Sequence, residues 1–228
     1  MIGIITAMKC EAEYLKNAMT DTEQKKIGAW TFTIGFFGKQ QAVLAVCGVG
    51  KVFAGACTQT MITSFGCTHI YNVGVAGTLD ENVKIGDIVC ASATVQHDMD
   101  TTAVGDPIGL ISGLNIVEMP CDEKFTQEFE KYLSSKSKAL QKGIIATGDK
   151  FFKETSDRTT VSQRFGAAAG EMEGGAVGQI SIANGVPYNV IRMITDNAGE
   201  DSGNEYAVNL EECAVELAKI FADFFISS

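Results

Sequence analysis

Several acidic residues in this chain stand where acids are costly to place. Residues 170–176 read GEMEGGA, so Glu171 and Glu173 sit in a small, apolar stretch as a helical pattern begins. The apolar run 187–194 ends in Thr195-Asp196, and Glu11 follows the apolar run 2–7, IGIITA. A carboxylate among apolar neighbours loses solvation unless it is paired, hydrogen-bonded or used for proton transfer. Helix N-termini also attract acids for capping alone, which would account for Glu11 or Glu173 taken singly. As a set from separate segments, Glu11, Glu173 and Asp196 suit hydrolysis at a sugar carbon. One group activates water, one protonates the leaving group and one holds hydroxyls.

Other chemistries find less support. The chain has no GxSxG, no P-loop and no GxGxxG after a first strand. Gly48-Val49-Gly50-Lys51 lacks the glycine spacing and the Ser/Thr of a phosphate loop. The two histidines have no ligand spacing to a cysteine or to each other, so neither a metal nor another cofactor is expected. The seven cysteines form no CxxC pair, and several lie in apolar runs, as in Ala45-Val46-Cys47. They read as small buried hydrophobes in a reducing cytoplasm.

The elements that must position the acids follow from hydropathy. Apolar β-type runs recur at 2–7, 42–47, 69–75, 86–93, 143–148 and 187–194, and 30–37 alternates and is expected to pair with 42–47 across Gly38-Lys39-Gln40. Helical patterns occupy 11–19, 51–65, 123–134, 172–184 and 205–226. This alternation predicts an α/β fold, a mixed sheet flanked by helices, as a single domain over 1–228. Residues 97–120 read as the one long excursion. In open α/β sheets the site gathers beyond the C-terminal strand ends. Those ends carry Met8 and Glu11, Val49-Gly50, Gly74–Gly77, Thr147–Asp149 and Thr195-Asp196, with glycines suggesting a floor where backbone approaches a ligand.

A formal charge of −10 with no basic block argues against nucleic acid as the partner and leaves a small neutral or cationic ligand. No run approaches membrane-spanning length, and the opening MIGIITAMKCEAE is too short and too acidic for a signal peptide, so a cytoplasmic location is expected.

The chain resembles the 5′-methylthioadenosine/S-adenosylhomocysteine nucleosidases of the purine nucleoside phosphorylase/uridine phosphorylase superfamily. The likeness runs through IGIITAMKCEAE at 2–13, GVGK at 48–51, NVGVAGTL at 72–79, KIGDIV at 84–89, HDMD at 97–100, TGDKFF at 147–152, GEMEGGAV at 170–177 and RMITD at 192–196. It implies a twisted, partly barrel-like sheet, a small-molecule nucleoside substrate and a homodimer. It also implies site roles. Glu11 would activate water, Asp196 would protonate purine N7, and Glu173 would accept the ribose hydroxyls with Met172 beside the sugar. Phe151 would stack on adenine and the backbone of Phe152 would bond its edge. Met8, Val49 and Tyr206 would line the ribose and 5′-substituent side, and Arg192 would orient the water and the acidic cluster.

Physical logic extends these implications. Asp196 must hold a proton near neutrality, with Thr195 and the Asn197 amide expected to fix its rotamer. Glu11 must be ionised, with Lys51 or Arg192 as counter-charge. His97 is expected to fix a loop through Asp98 or Asp100. Phosphorylases of the superfamily hold phosphate with arginines, whereas this chain has only Arg158, Arg164 and Arg192, which favours water as nucleophile. Val75 departs from the serine usual in the bacterial nucleosidases and can neither donate nor accept through its side chain.

Overall fold

In the computed structural model, which describes residues 1–227, the chain runs β1 (Ile2–Thr6), α1 (Lys9–Ala18), β2 (Thr20–Ile27), β3 (Trp30–Phe37), β4 (Gln40–Val46) and α2 (Lys51–Phe65). It continues through β5 (Ile70–Thr78), β6 (Ile88–Gln96), a 3-10 turn at Thr102–Val104, β7 (Met119–Pro120), α3 (Glu123–Ser135) and β8 (Leu140–Thr147). The last third holds α4 (Thr155–Phe165), β9 (Ala167–Glu171), α5 (Gly174–Ala183), β10 (Tyr188–Asp196) and α6 (Ser202–Ile226).

Strands β5, β9, β8, β6 and β10 pair in that order, and β10 pairs back onto β5, so this part of the sheet closes into a barrel. From β5 the sheet continues as an open wing through β1, β4, β3 and β2. Parallel pairs (β1–β4, β1–β5, β5–β10, β6–β8, β8–β9) mix with antiparallel ones (β10–β6, β5–β9, β3–β4, β2–β3), as the α/β reading expects. The 30–37 strand pairs with β4 as expected.

The period-two rule sorts β1 between two cores. Ile2 and Ile4 join Leu15, Leu217 and Phe221 under α1 and α6. Ile5 joins Met61 and Val177 under α2 and α5. Every residue of β5 and β10 is buried, as expected of strands covered on both faces. Sheathed this way, their carboxyl ends present buried, paired backbone on which a site can be built.

The sequence pattern overlooks three elements. The β2 strand is polar and almost wholly exposed, α4 buries only Val161, and β9 is the alanine-rich AAAGE. The 97–120 excursion contains the 3-10 turn, an isolated Ile111–Ile116 bridge and β7, which pairs with β6. The helix expected at 172–184 begins at Gly174, with Glu173 as its N-cap residue.

Candidate active site

Strands β5 and β10 lie side by side, with Arg192 opposite Gly74 and Asp196 opposite Gly77. These two glycines face the two acids. A Cβ on Gly74 would clash with Oε1 of Glu11, and one on Gly77 would lie 2.6 Å from Oδ1 of Asp196. Only a hydrogen at each position lets the carboxylates approach the strand.

Glu11 stands in the first turn of α1 and reaches back to its own helix entrance. Its Oε2 accepts from the Ala7 and Met8 amides at 2.9 and 2.8 Å, and its Oε1 accepts from the Val75 amide at 3.0 Å. Burial pushes its carboxyl up from the ordinary glutamate range, opposed by the Arg192 charge and by these three amides. A carboxylate so raised is a stronger base whenever it is ionised. Val75 thus contributes its backbone N–H here, a group that any residue except proline would supply.

Asp196 ends β10. Thr195 donates to its Oδ2 at 2.9 Å and the Ala198 amide to its Oδ1 at 3.0 Å. Burial raises its pKa; these two donors hold it back, and Glu205 pushes it further up. The Thr195 expectation stands. The Asn197 amide is otherwise engaged, donating to Glu205 at 2.8 Å.

Glu173 takes the Gly50 amide at 2.8 Å on Oε1, which ties the carboxylate to the entrance of α2. Below it lies a buried polar hub. Glu171 accepts from the Thr147 hydroxyl, from the Glu173 amide at 2.9 Å, from the Gly174 amide at 2.7 Å and from the Arg192 guanidinium. Arg192 also donates to the backbone and side-chain oxygens of Asn72 and lies 3.9 Å from Oε2 of Glu173. Breaking such a buried pair typically costs about 3–5 kcal/mol, so Arg192 anchors the acids from beneath. Burial, and then the Glu171 charge, pushes the Glu173 carboxyl up to about 8.

One cavity of about 90 Å³ is lined by Met8, Glu11, Val49, Val75, Phe151, Met172, Glu173, Thr195, Asp196 and Tyr206, all singled out from the sequence, together with Ala7, Ala76, Gly77, Gly170 and Glu171. Phe152 lines a narrow extension of about 30 Å³, where its carbonyl accepts from Ser202 at 2.7 Å. Tyr206 packs edge-on to Phe151 at 5.6 Å and donates to the Met8 sulfur at 3.2 Å. The enclosed volume is below the roughly 300–1,000 Å³ common for small-molecule sites. Phe151 and Val49, 44% and 50% exposed, stand at its wall. A larger cavity of about 870 Å³ between α3 and α6 is an open groove of lysines and glutamates without a comparable set of buried acids. Chemistry therefore selects the smaller one.

Further placements differ from the sequence reading. Lys51 is not a counter-charge to Glu11: its Nζ lies 2.6 Å from Asp98, and its amide donates to Asp149. His97 does not fix its loop through Asp98 or Asp100. Asp98 serves Lys51 and the Asp149 amide, Asp100 serves Thr102, and the His97 ring lies 5.2 Å from Phe152. Arg192 does not line the cavity but lies beneath it. Glu171, which the sequence offered only as a structural ion-pair partner for Arg192, does pair with it and also lines the cavity. Its spacing of two from Glu173 in GEMEGG was the available signal.

Residues 1–226 match the family model described as "Phosphorylase superfamily". Among curated proteins, a 5′-methylthioadenosine/S-adenosylhomocysteine nucleosidase of Colwellia psychrerythraea is 33% identical over 225 residues, covering 96% of this chain and 92% of that protein. An aminodeoxyfutalosine nucleosidase of Helicobacter pylori is also 33% identical, over 219 residues, covering 96% and 95%. A crystal structure of the S-adenosylhomocysteine nucleosidase of Streptococcus pyogenes in complex with 5-methylthiotubericidin superposes with a TM-score of 0.95 at 32% identity, covering 99% of this chain and 96% of that one.

Proposed function

This chain belongs to the phosphorylase superfamily, and we propose that within it the protein is a purine nucleosidase that hydrolyses 5′-methylthioadenosine and S-adenosylhomocysteine to adenine and the 5-thio-substituted ribose. One observation carries the reading: carboxylates from α1, the start of α5 and the end of β10 line one cavity with Phe151.

In this reading Asp196 gives its proton to purine N7, and the C1′–N9 bond breaks with its electron pair leaving on adenine. Adenine departs poorly as an anion, so the proton lowers the barrier. Glu11 takes a proton from water, whose oxygen forms the new bond to C1′. Glu173 accepts the ribose hydroxyls, and the nearby carboxylates stabilise the positive charge on the sugar. Phe151 provides a face for adenine, the Phe152 backbone an edge contact, and Met172 a surface for the sugar. Met8, Val49 and Tyr206 form the 5′ side. Burial and the Glu11 charge push the Tyr206 hydroxyl up to about 12, so it remains a hydrogen-bond donor across the working range. Water rather than phosphate is the nucleophile, because among the described residues no arginine lines the cavity. Lys150, at the narrow extension, pairs with Asp157 at 2.6 Å.

Chromatography of adenine released from 5′-methylthioadenosine, S-adenosylhomocysteine, aminodeoxyfutalosine and adenosine, with and without phosphate, tests the reading. Release from the thionucleosides without phosphate is expected. A requirement for phosphate would reject hydrolysis, and turnover of aminodeoxyfutalosine alone would favour the second reading, which the Helicobacter pylori relative supports at the same identity.

The protein is further read as a cytoplasmic homodimer. Val52 and Phe53, 81% and 50% exposed, stand at the start of α2, just past Val49 of the cavity wall. An apolar patch of this kind suits a second copy of the chain. Light scattering is expected to give a dimer for the wild type and a lower mass for Val52→Asp; a monomeric wild type rejects the dimer.

A further inference from the structure

Three buried carboxylates, Glu11, Glu171 and Glu173, share one buried guanidinium, that of Arg192. The sharing is unequal. Arg192 donates to Glu171 directly, whereas its nearest approach to Glu173 is 3.9 Å. Glu171 also collects the Thr147 hydroxyl and two backbone amides, so its two oxygens take four donors. Glu173 has the single Gly50 amide. We propose that Glu171, which takes no part in the proton transfers, is a positioning residue for Glu173: by engaging Arg192 directly it holds the guanidinium back from the sugar-side carboxyl and couples binding of ribose hydroxyls to release of a proton. The inference rests on reading Glu173 as the ribose acceptor.

The surroundings of Glu173 all bear on its charge. Glu171 from β9 and Glu11 from α1 disfavour its anion, as does burial. Arg192 from β10 and the Gly50 amide before α2 favour it. Cys47 after β4 and Tyr206 on α6 also feel its charge, and both have raised pKa values that keep them neutral. The balance leaves Glu173 holding its proton into the neutral range until a ligand offers donors. Ribose hydroxyls, donating to it, would favour the anion and expel that proton.

Substituting Glu171→Gln keeps the shape, removes the like charge and frees Arg192. Both changes lower the Glu173 midpoint, and together are expected to move it down by about 1–3 pH units. Carbon-13 NMR of protein labelled at the glutamate carboxyls reads this directly, the Glu173 signal being the one lost in Glu173→Gln. The wild type should titrate well above the ordinary glutamate range, Glu171→Gln lower, and Glu171→Asp, which retains the charge, near the wild type. An ordinary midpoint in the wild type overturns the proposal whatever the variants do, and so does an unmoved midpoint in a folded Glu171→Gln protein. As a second readout, a non-hydrolysable adenine C-nucleoside should release a proton on binding the wild type near neutrality, and less on binding Glu171→Gln. Its 2′,3′-dideoxy counterpart should release less from either. If the nucleoside fails to bind while the midpoints move as expected, the ribose reading of the pocket is at fault and the Glu171–Glu173 coupling stands.

Discussion

Asp196→Asn is expected to lower turnover of adenine thionucleosides by roughly 10²–10⁴-fold, the range for loss of a positioned general acid, while nucleoside binding persists. The asparagine amide can still accept from Thr195 or Ala198, which fix the wild-type rotamer at 2.9 and 3.0 Å. What it lacks is a proton to give. The pH profile sharpens the test. Burial raises the Asp196 pKa, so the competent, protonated form extends to higher pH than for an exposed aspartate, and turnover falls as pH rises through that pKa. On the acid side turnover falls as Glu11 becomes protonated. Asp196→Asn should therefore lose the alkaline limb along with most of the rate. Steady-state assays of adenine release across pH check both, and an undiminished rate would remove Asp196 as the acid.

The second large effect concerns the base, and it can be reached without touching the base itself. Glu11→Gln should reduce turnover by about 10²–10⁴-fold. Gly74→Ala should approach the same loss with Glu11 intact, because the new methyl group would clash with the Glu11 carboxylate and force it to move. Backbone on one side and the α1 entrance on the other leave that carboxylate no nearby alternative that keeps its three amides. Gly28→Ala, where an added Cβ meets nothing within 4 Å, controls for a generic glycine effect at a turn, although its φ of +58° carries a local strain of its own. Thermal unfolding alongside kinetics separates misfolding from misplacement. A folded Gly74→Ala enzyme with full turnover would show that Glu11 does not act from the position described.

Much of this architecture was legible because burial and periodicity agree where the barrel is built. The runs within β1, β4, β5 and β10 are apolar because these strands are covered, and Glu11, Glu173 and Asp196 stood out against that background. The overlooked elements have no such contrast. Strand β2, TDTEQKKI, pairs with β3 at the open edge and buries little, so no alternation is selected. Helix α4 needs to cover only Val161, which leaves no apolar stripe. Strand β9 has the alanines of a helix former, yet its pairing with β5 and β8 closes the barrel and overrides that preference. Side-chain partners were the least legible. Which acid Lys51 meets, and whether the Asn197 amide turns to Asp196 or Glu205, depend on where distant segments come to rest.

The spacing of Gly74 and Gly77 along β5 has a consequence for how this enzyme can vary. A survey of tolerated substitutions would find that strand among the least permissive in the protein, though its own side chains carry none of the proposed reaction steps. Drift in the chemistry would have to come through the loops and helix ends that supply the acids, while the strand beneath them stays bare.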